Sequence, residues 1–399
     1  MTDNDDAGKQ ASERLEAELQ KRNISYIPYS KYIEYLGHYE AIRYMKDSNE
    51  MLQNAGTDFA KLVKELYNEA EKVTLAEYDK ETADTYFTEF LERITSTTYR
   101  PLPIQFTKLN NALGGGFLRQ SIISIGGGTS TGKTTFCLQL VDDFLKDHKV
   151  IYYSLEMSKD NILAKLLSYV GYRTPFNDAK ISHHYYEAGE ILQGYKWDND
   201  RKEEIAGLME AYKDRAKNLI VMKPQKPTID TILDEAEKVR RITGEAPILF
   251  IDYLQLLQGT PKQDAQAVIK EATQKLKDYV IKNDTLVFTI IAYNRDSTKG
   301  HGKATIESGR DTSDIEYSSD YILSINYEEY EKGNSDKDLE ELKHEEARKM
   351  TIKVLKNRLG TTGDKINYDF IAKYNTYIEK EYFKRDTQPQ QSYNKSNLI

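Results

Sequence analysis

The segment that decides the fold is Gly127-Gly128-Thr129-Ser130-Thr131-Gly132-Lys133-Thr134, which matches G-x-x-x-x-G-K-[ST] at every fixed position. An apolar run, Ser121–Ile125, precedes it, and an apolar helical pattern with Phe136, Leu140 and Phe144 follows. Glycines at such a strand–loop–helix junction let the backbone wrap around phosphates, and N–H groups at the helix start bind the anion. A glycine-rich turn with an incidental lysine is the alternative, but it does not account for every fixed position. The segment therefore predicts a nucleotide-binding site.

Residues in and beside this loop are the candidate ligands of a nucleotide and its Mg²⁺ ion. Lys133 is expected to neutralise the β- and γ-phosphates, and the hydroxyl of Thr134 to bind Mg²⁺. A carboxylate is also needed at the end of a neighbouring strand, and Asp252 follows the apolar run Ile248–Ile251. An aspartate that only caps its strand is the alternative. The candidate metal ligands are Thr134 and Asp252, and the candidate nucleotide-binding residues are Gly127, Gly128, Thr129, Ser130, Thr131, Gly132, Lys133, Thr134 and Thr135.

Hydrolysis also needs a group that orients or deprotonates the attacking water. Glu156 follows the strand-like run Val150–Leu155, the next such run after the loop. Its carboxylate would lie over the γ-phosphate if that strand neighbours the strand that precedes the loop. A solvated glutamate at a strand end is the alternative, and spacing does not separate the two.

Short apolar runs rich in β-branched residues alternate with longer helical patterns from about residue 104 to 382. Continuous apolar runs are typical of strands buried on both faces, and intervening helices predict βαβ units. We therefore predict an α/β fold with a mostly parallel central sheet. Its predicted strands are Ser121–Ile125, Val150–Leu155, Leu219–Met222, Ile248–Tyr253, Leu286–Ala292 and Tyr321–Ile325, closed by Met350–Leu355 and Ile366–Ile371.

Four stretches divide the chain. Residues 1–56 have the pattern of the end of a small α/β unit, with a helical segment around Leu15 and Leu19 and a short strand at Ile24–Ile27. Residues 57–99 are predicted to be a helical linker, residues 100–385 the main domain after Pro101 and Pro103, and residues 386–399 a disordered tail. Two apolar stripes at helical spacing support the linker, namely Phe59, Leu62, Val63, Leu66 and Tyr67, and Phe87, Phe90, Leu91 and Ile94.

Composition and charge exclude several classes of protein. No apolar run approaches the roughly 18 to 20 residues that span a bilayer, and the acidic N-terminus lacks a secretory-signal pattern, so we expect a cytoplasmic protein. The single cysteine, Cys137, excludes an intrachain disulfide framework and a cysteine-built zinc site. A net charge of −8 argues against a non-specific duplex binder. It is compatible with a ring whose basic groups line only an inner channel.

Several segments, taken in order, resemble the C-terminal motor domain of the DnaB family of replicative helicases. The resemblance covers roughly residues 100–375 and implies a RecA-like P-loop domain. The segments that carry it are Ser154–Met157, Ile251–Leu256, Asn294-Arg295, Gly309-Arg310, Asp314–Tyr317 and Lys356–Gly360.

By that resemblance, Glu156 is the catalytic base and Arg358 an arginine finger, which acts with Lys356 on the γ-phosphate held by a neighbouring subunit. A guanidinium supplied in trans stabilises transition-state charge and makes hydrolysis depend on ring assembly. Without the resemblance, both cations would be ordinary alternating residues on a half-exposed strand. The family commonly has a glutamine that senses the γ-phosphate where this chain has Ala292. Coupling between ATP hydrolysis and movement through that element would therefore depend on Asn294 or Arg295 instead.

The polar segment Asp296–Arg310 supplies the candidate DNA contacts. It contains no aromatic residue, so we expect contacts to the backbone of a single strand, with little sequence preference. A solvated loop is the alternative that composition leaves open. The residues expected to contact phosphates in a central channel are Lys299, His301, Lys303 and Arg310.

The N-terminal residues carry a second resemblance. Thr2–Gly8 is similar to the D-x-D segment of Toprim domains in primases and topoisomerases, and Lys46–Glu50 to a late Toprim segment of fused primase–helicases. Paired carboxylates bind divalent metals, but the strands and the catalytic glutamate expected before this loop are missing from the sequence. We expect a truncated Toprim-like segment without priming activity, so that the chain corresponds to the rear part of a primase–helicase.

The predicted function is an ATP-dependent replicative DNA helicase that uses Mg²⁺ and moves along single-stranded DNA, 5′ to 3′ by analogy with the family. We expect a homo-hexamer that works at a replication fork, with a primase or a helicase loader as further partners. Two alternatives stay open. One is a RecA-like recombinase or non-unwinding DNA-dependent ATPase, and the other is a nucleotide-binding scaffold without turnover.

Overall fold

The computed structural model describes residues 6–21, 29–36, 38–39, 45, 48–80, 82–96, 99–173, 185–260, 263–292, 313–332 and 339–380. The chain divides into two compact units, Met1–Tyr99 and Arg100–Ile399. Throughout the described ranges, no helix has both the length and the apolar character needed to cross a membrane. Several predicted features lie outside these ranges: the D-x-D carboxylates at 3–5, the strand Ile24–Ile27, Asn294, Arg295, Lys299, His301, Lys303, Arg310 and the tail.

The described part of the first unit is helical. Leu62 and Leu66 are buried in a small core with Tyr32, Leu36 and Met51. The predicted boundary between residues 56 and 57 falls inside the third helix. The helices are α1 (Asp6–Lys21), α2 (Tyr29–Leu36), α3 (Ser48–Lys80) and α4 (Ala83–Thr95).

Helix α4 has an apolar stripe that its own unit leaves uncovered. Thr82 caps the start of the helix, because its hydroxyl oxygen accepts a hydrogen bond from the backbone N–H of Thr85, and the helix contains no buried residue. Its large apolar side chains are 40% to 61% exposed: Tyr86, Phe87, Phe90, Leu91 and Ile94. An amphipathic helix of this kind gains stability only when its apolar side is covered.

The second unit is built on a nine-stranded sheet, counted over the described residues, in the order β3-β2-β4-β5-β1-β6-β7-β8-β9. The strands from β3 to β6 pair in parallel, and β7, β8 and β9 add an antiparallel extension. The predicted mostly parallel sheet is confirmed, while β9 was not predicted. The strands are β1 (Ser121–Gly127), β2 (Val150–Ser154), β3 (Leu219–Met222), β4 (Ile248–Asp252), β5 (Leu286–Ala292), β6 (Tyr321–Tyr327), β7 (Arg348–Asn357), β8 (Lys365–Ile371) and β9 (Thr376–Glu379).

Helices cover both faces of this sheet, which explains why its central strands are apolar throughout. Successive side chains of a strand point to opposite faces, so that Tyr152 belongs to one core and Tyr153 to the other. The helices are α5 (Thr107–Ala112), α6 (Lys133–Phe144), α7 (Lys159–Arg173), α8 (Ala188–Ile191), α9 (Asn199–Ala216), α10 (Ile229–Thr243), α11 (Ala265–Asn283), α12 (Ser313–Ser318), α13 (Glu328–Lys332) and α14 (Leu339–His344).

The strand order corrects one expectation. The neighbours of β1, which leads into the phosphate loop, are β5 and β6. Strand β4, which ends at Asp252, is separated from β1 by β5, and β2 lies one strand farther away. Neither candidate carboxylate therefore follows a strand that neighbours β1. Contact with the loop must come from the helix that crosses these strands.

Candidate active site

The loop between β1 and α6 requires glycine at two positions. Gly132 has a φ of 79°, and a Cβ there would lie 2.8 Å from ring carbons of Phe370. A Cβ on Gly127 would lie 2.6 Å from the carbonyl oxygen of Ile325 on β6. Helices α10 and α11 begin with side-chain caps, but α6 has none, so its first N–H groups can bind an anion.

Lys133 places a cation against this loop. Its Nζ donates hydrogen bonds to the carbonyl oxygens of Gly127 and Gly128, at 2.9 and 2.7 Å. Burial lowers the pKa of Lys133, while the charges of Asp252 and Glu156 raise it. A half-buried ammonium is stabilised by an anionic ligand, and a phosphate in the loop would provide that anion.

Thr134 and Asp252 form the second part of the site. The Thr134 hydroxyl donates a hydrogen bond of 2.8 Å to Oδ2 of Asp252, a residue that is 3% exposed. Burial raises the pKa of the Asp252 carboxyl, whereas hydrogen bonds from Tyr152 and Thr134 and the charge of Lys133 lower it. A hydroxyl and a carboxylate side by side suit a hard divalent cation that takes its other ligands from phosphate and water.

Helix α6 explains how these two residues meet although β5 separates their strands. Phe144 of this helix packs against Phe288 of β5 and Phe250 of β4, with ring centroids 5.5 and 6.3 Å apart. The helix therefore crosses both strands. Its first turn brings Thr134 to the carboxyl end of β4, and the expected pairing of Thr134 with Asp252 is present despite the different strand order.

Glu156 lies in a segment that is fixed to the same edge of the sheet. The backbone N–H of Leu155 donates to the carbonyl oxygen of Asp252 at 2.8 Å. Lys223 donates to the carbonyl oxygens of Leu155, Glu156 and Met157, at 3.5, 3.1 and 2.9 Å. The Glu156 side chain is exposed, and its charge raises the pKa of Lys133. This arrangement places a carboxylate within electrostatic reach of the phosphate loop.

Lys356 and Arg358 lie at the opposite edge of the sheet. Arg358 donates from NH1 to Oδ1 of Asp320 at 2.9 Å, and Oδ2 of Asp320 accepts from the backbone N–H of Ile122 at 2.9 Å. Ile122 is at the start of β1, whereas the phosphate loop follows the end of β1 at Gly127. The five residue steps from Ile122 to Gly127 span about 16 Å at a rise of about 3.3 Å per residue. The structure therefore does not bring Arg358 to the phosphate loop of its own chain.

Lys356 is held at the same edge. Its Nζ donates to the carbonyl oxygens of Glu316 and Tyr317 at 2.6 and 3.3 Å, next to the C-terminus of α12. Burial is the main cause that lowers the pKa of Lys356, and the charge of Arg358 lowers it further. Arg358 is 55% exposed, so that its guanidinium is accessible from outside the chain.

Two polar residues of the site were missed in the sequence. Tyr152 donates from its hydroxyl to Oδ2 of Asp252 at 2.7 Å. Lys165 donates to Oδ1 of Asn375 at 3.0 Å, and burial lowers its pKa, although the charge of Asp252 partly offsets this. The available signal for Lys165 was its position within a buried helical stripe with Ile162, Leu166 and Tyr169.

Ala292 ends β5, and its Cα is the register partner of Gly127 at the beginning of the phosphate loop. The end of β5 is therefore next to the phosphate loop. The alanine side chain has no hydrogen-bond donor. Asn294, Arg295 and the predicted DNA contacts lie beyond the described end of β5.

Comparison with known proteins identifies the family to which this chain belongs. The model of the DnaB-like helicase C terminal domain matches residues 102–379, which include the whole site. This chain belongs to that family. Two curated relatives are both named Replicative DNA helicase DnaB. The relative from Helicobacter pylori is 28% identical over 266 residues, 64% of this chain and 51% of its own length. The relative from Nostoc is 29% identical over 194 residues, 48% of this chain and 20% of its own length.

Solved structures agree on the fold. A DnaB-like replicative helicase, solved with its interactions with primase, has a TM-score of 0.61 at 19% identity, covering 94% of this chain and 80% of its own. A solved ATPase domain also has a TM-score of 0.61, at 20% identity, covering 75% of this chain and 99% of its own. The RecA-like fold is therefore confirmed for the DnaB-like domain. The chain spans about half or less of the length of the curated relatives named above.

Proposed function

We propose that this chain is the ATP-hydrolysing motor of a ring-forming replicative DNA helicase. The observation that carries the proposal is that the candidate residues fall into two groups at opposite ends of the parallel strands. Lys133, Thr134, Asp252 and Glu156 gather at the carboxyl edge, while Arg358 is exposed at the amino edge. Family membership supports the same function.

ATP and Mg²⁺ fit the residues at the carboxyl edge. The loop glycines and the uncapped start of α6 would cradle the phosphates, with Lys133 against the terminal ones. Thr134 and Asp252 would hold Mg²⁺, which neutralises charge on the β- and γ-phosphates. Glu156 would accept the proton of the attacking water. The catalysis would come from positioning and charge neutralisation.

Arg358 would complete this centre from a neighbouring subunit, with Lys356 assisting. The support is geometric, since about 16 Å of strand separates the amino edge of β1 from its own loop. In a homo-hexameric ring, the amino ends of the parallel strands of each subunit would face the carboxyl ends of the strands of the next subunit. Such a ring would supply every active site with an arginine finger. Mass measurement of the assembly with and without MgATP tests this proposal, and a persistent monomer that hydrolyses ATP at full rate would contradict it.

The helical linker would join such subunits. The exposed stripe of Tyr86, Phe87, Phe90, Leu91 and Ile94 on α4 supports packing on an adjacent subunit, because the unit to which α4 belongs leaves the stripe uncovered. An exposed apolar patch of this kind marks an interaction surface. A primase is the further partner suggested by the relative whose structure was solved with its primase interactions.

Single-stranded DNA would pass through the ring and contact Lys299, His301, Lys303 and Arg310, with 5′ to 3′ movement by family analogy. A forked-duplex unwinding assay tests the helicase activity, using wild type and Lys133→Ala at equal concentration. We expect strand release that needs MgATP and intact Lys133. DNA-stimulated hydrolysis without strand release would instead support a recombinase-like or non-unwinding ATPase.

A scaffold without turnover is the second candidate, and Ala292 is the observation that favours it, because the residue paired with Gly127 at the end of β5 has no hydrogen-bond donor in its side chain. Single-turnover hydrolysis separates the two. A wild-type rate far above those of Lys133→Ala and Glu156→Gln supports the helicase, and three equal, negligible rates support the scaffold.

We further propose that residues 1–56 are a Toprim-like segment that does not prime. The support is the similarity of Thr2–Gly8 and Lys46–Glu50 to Toprim segments. A primer-synthesis assay on single-stranded DNA with Mg²⁺ or Mn²⁺ tests the lack of priming, and labelled primers that depend on the protein would contradict it.

A further inference from the structure

Two tyrosines occupy neighbouring positions on β2 and face opposite sides of the sheet. Both are almost fully buried, with 0% exposure for Tyr152 and 1% for Tyr153. The hydroxyl of Tyr152 donates to Oδ2 of Asp252 at 2.7 Å, and that of Tyr153 donates to the carbonyl oxygen of Ile232 at 2.8 Å. The pair therefore offers the same side chain in two settings, one bonded to the candidate metal carboxylate and one bonded to a helix backbone.

The Tyr152 hydroxyl is held in place by packing. Its ring stacks on Phe250 of β4, with centroids 6.1 Å apart and an angle of 14° between the planes. Tyr152 is also the register partner of Phe250 on the adjacent strand. Because strand pairing and ring stacking both fix the phenol, its oxygen stays at the end of β4, where Asp252 is located.

Oδ2 of Asp252 receives two hydroxyl donors, Thr134 at 2.8 Å and Tyr152 at 2.7 Å. Two donors on one oxygen fix the rotation of the carboxylate and leave Oδ1 for a cation or its water. They also leave the lone pairs of the Thr134 oxygen, whose proton points to Asp252, for the cation itself. Hydrogen bonds to an ionised acceptor are about twice as strong as those between neutral groups.

We propose that Tyr152 is a positioning residue for the divalent cation, because its hydroxyl holds Asp252 in the orientation in which that carboxylate and Thr134 bind Mg²⁺ together. The inference rests on the proposed roles of Asp252 and Thr134. Tyr152 itself does not touch the cation. Its effect is on how tightly the cation binds beside a nucleotide.

The test compares full-length wild type, Tyr152→Phe and the matched control Tyr153→Phe. A fluorescent ADP is titrated with chelator and then at increasing Mg²⁺ concentration, and melting temperatures are measured for all three proteins. Without Mg²⁺ we expect equal affinities. The Mg²⁺ concentration that gives half of the maximal gain in nucleotide affinity should rise about tenfold in Tyr152→Phe, which is the effect of losing one hydrogen bond to a charged group. This Mg²⁺ concentration should be unchanged in Tyr153→Phe.

A structural role alone would lower the melting temperature of both variants and leave this Mg²⁺ concentration unchanged. Saturating Mg²⁺ should restore nucleotide affinity in Tyr152→Phe, which repair of a folding defect would not do. Equal Mg²⁺ dependence in the two variants overturns the inference. Asp252→Asn separates this failure from a failure of the proposed function. If Asp252→Asn abolishes the Mg²⁺ enhancement, only the role of Tyr152 is wrong, and if Asp252→Asn keeps it, the metal role of Asp252 itself is wrong.

Discussion

Mixing two inactive variants, Lys133→Ala and Arg358→Ala, should restore ATP hydrolysis. Lys133→Ala removes the cation of the phosphate loop, and Arg358→Ala removes the guanidinium at the other edge of the sheet. About 16 Å of β1 separates these edges, and Arg358 is tied to Asp320 beside Ile122. If Arg358 acts in trans as proposed, one protomer cannot complete its own centre, but an Arg358→Ala loop should receive a finger from a Lys133→Ala neighbour.

The expected magnitude follows from counting interfaces. In rings assembled from a one-to-one mixture, a given interface has an intact loop on one side and an intact finger on the other in about one quarter of cases. Each parent variant should be nearly inactive, because an arginine finger contributes roughly a thousandfold or more to the rate. The mixture should therefore reach about a quarter of the wild-type rate if interfaces act independently.

The assay mixes dissociated subunits, assembles rings with MgATP and measures phosphate release at constant total protein. The matched control mixes Lys133→Ala with Asp252→Asn, two lesions on the same side of the interface. That mixture contains no intact centre and should remain inactive. Mixed rings, verified by mass, that show no recovery would refute the trans arrangement. Equal recovery in the control mixture would refute it as well.

The remaining predictions concern the loop, the linker and the finger. Gly132→Ala should abolish fluorescent-ADP binding and destabilise the fold by about 1–3 kcal/mol, because Gly132 has a positive φ and lies next to an aromatic ring. The control is Gly207→Ala on α9, where the added methyl group meets no other atom, and it should weaken neither ADP binding nor thermal stability. Phe87→Ser with Leu91→Ser should weaken ring assembly in mass measurements at unchanged melting temperature, since both side chains are exposed on α4. Asp320→Asn should reduce kcat more than nucleotide affinity, because it removes the charge that holds the finger guanidinium.

The strands of the main unit could be predicted because their signal is local. Runs such as Ile248–Ile251 are apolar at every position, and this is the pattern of a strand covered by helices on both faces. The order of strands is not local information. Strand β5 lies between β1 and β4 through pairings between segments far apart in the chain, so the expectation that the Asp252 strand adjoins the loop strand was wrong.

The residues of the candidate site also include some that the sequence predicts and some that it does not. Lys133, Thr134 and Asp252 belong to motifs whose spacing is fixed by the chemistry of a triphosphate, and the structure brings them together. Tyr152 belongs to no such motif, because its role comes from strand register, which places a phenol on β2 next to a carboxylate on β4. Lys165 reaches the same region only through the packing of α7. Contacts made by register and packing are not visible in residue spacing.

The bond between Tyr152 and Asp252 is one of several bonds in which a tyrosine hydroxyl donates to a carboxylate. The chain has 30 tyrosines and 64 acidic residues, and a buried carboxylate requires hydrogen-bond donors. A tyrosine supplies such a donor on a ring that also fills an apolar core. Further hydroxyl-to-carboxylate pairs among the described residues include Tyr212 and Tyr169 with Asp142, Tyr186 with Glu204, Tyr368 with Glu379 and Tyr35 with Glu69.

These pairs show that the chemistry of the bond alone does not define a functional residue. The carboxylate of Asp142 also accepts hydrogen bonds from Tyr169 and Arg215, so that its donors complete a buried network remote from the phosphate loop. The Asp252 carboxylate differs because its other donor is the hydroxyl of Thr134, in the first turn of the helix that starts the loop. If Tyr152 has the proposed role, loss of a phenol at Asp142 should lower only stability, whereas loss of the phenol at Asp252 should also change the geometry that a bound cation would encounter. We therefore expect the location of the acceptor to decide which tyrosine takes part in nucleotide chemistry.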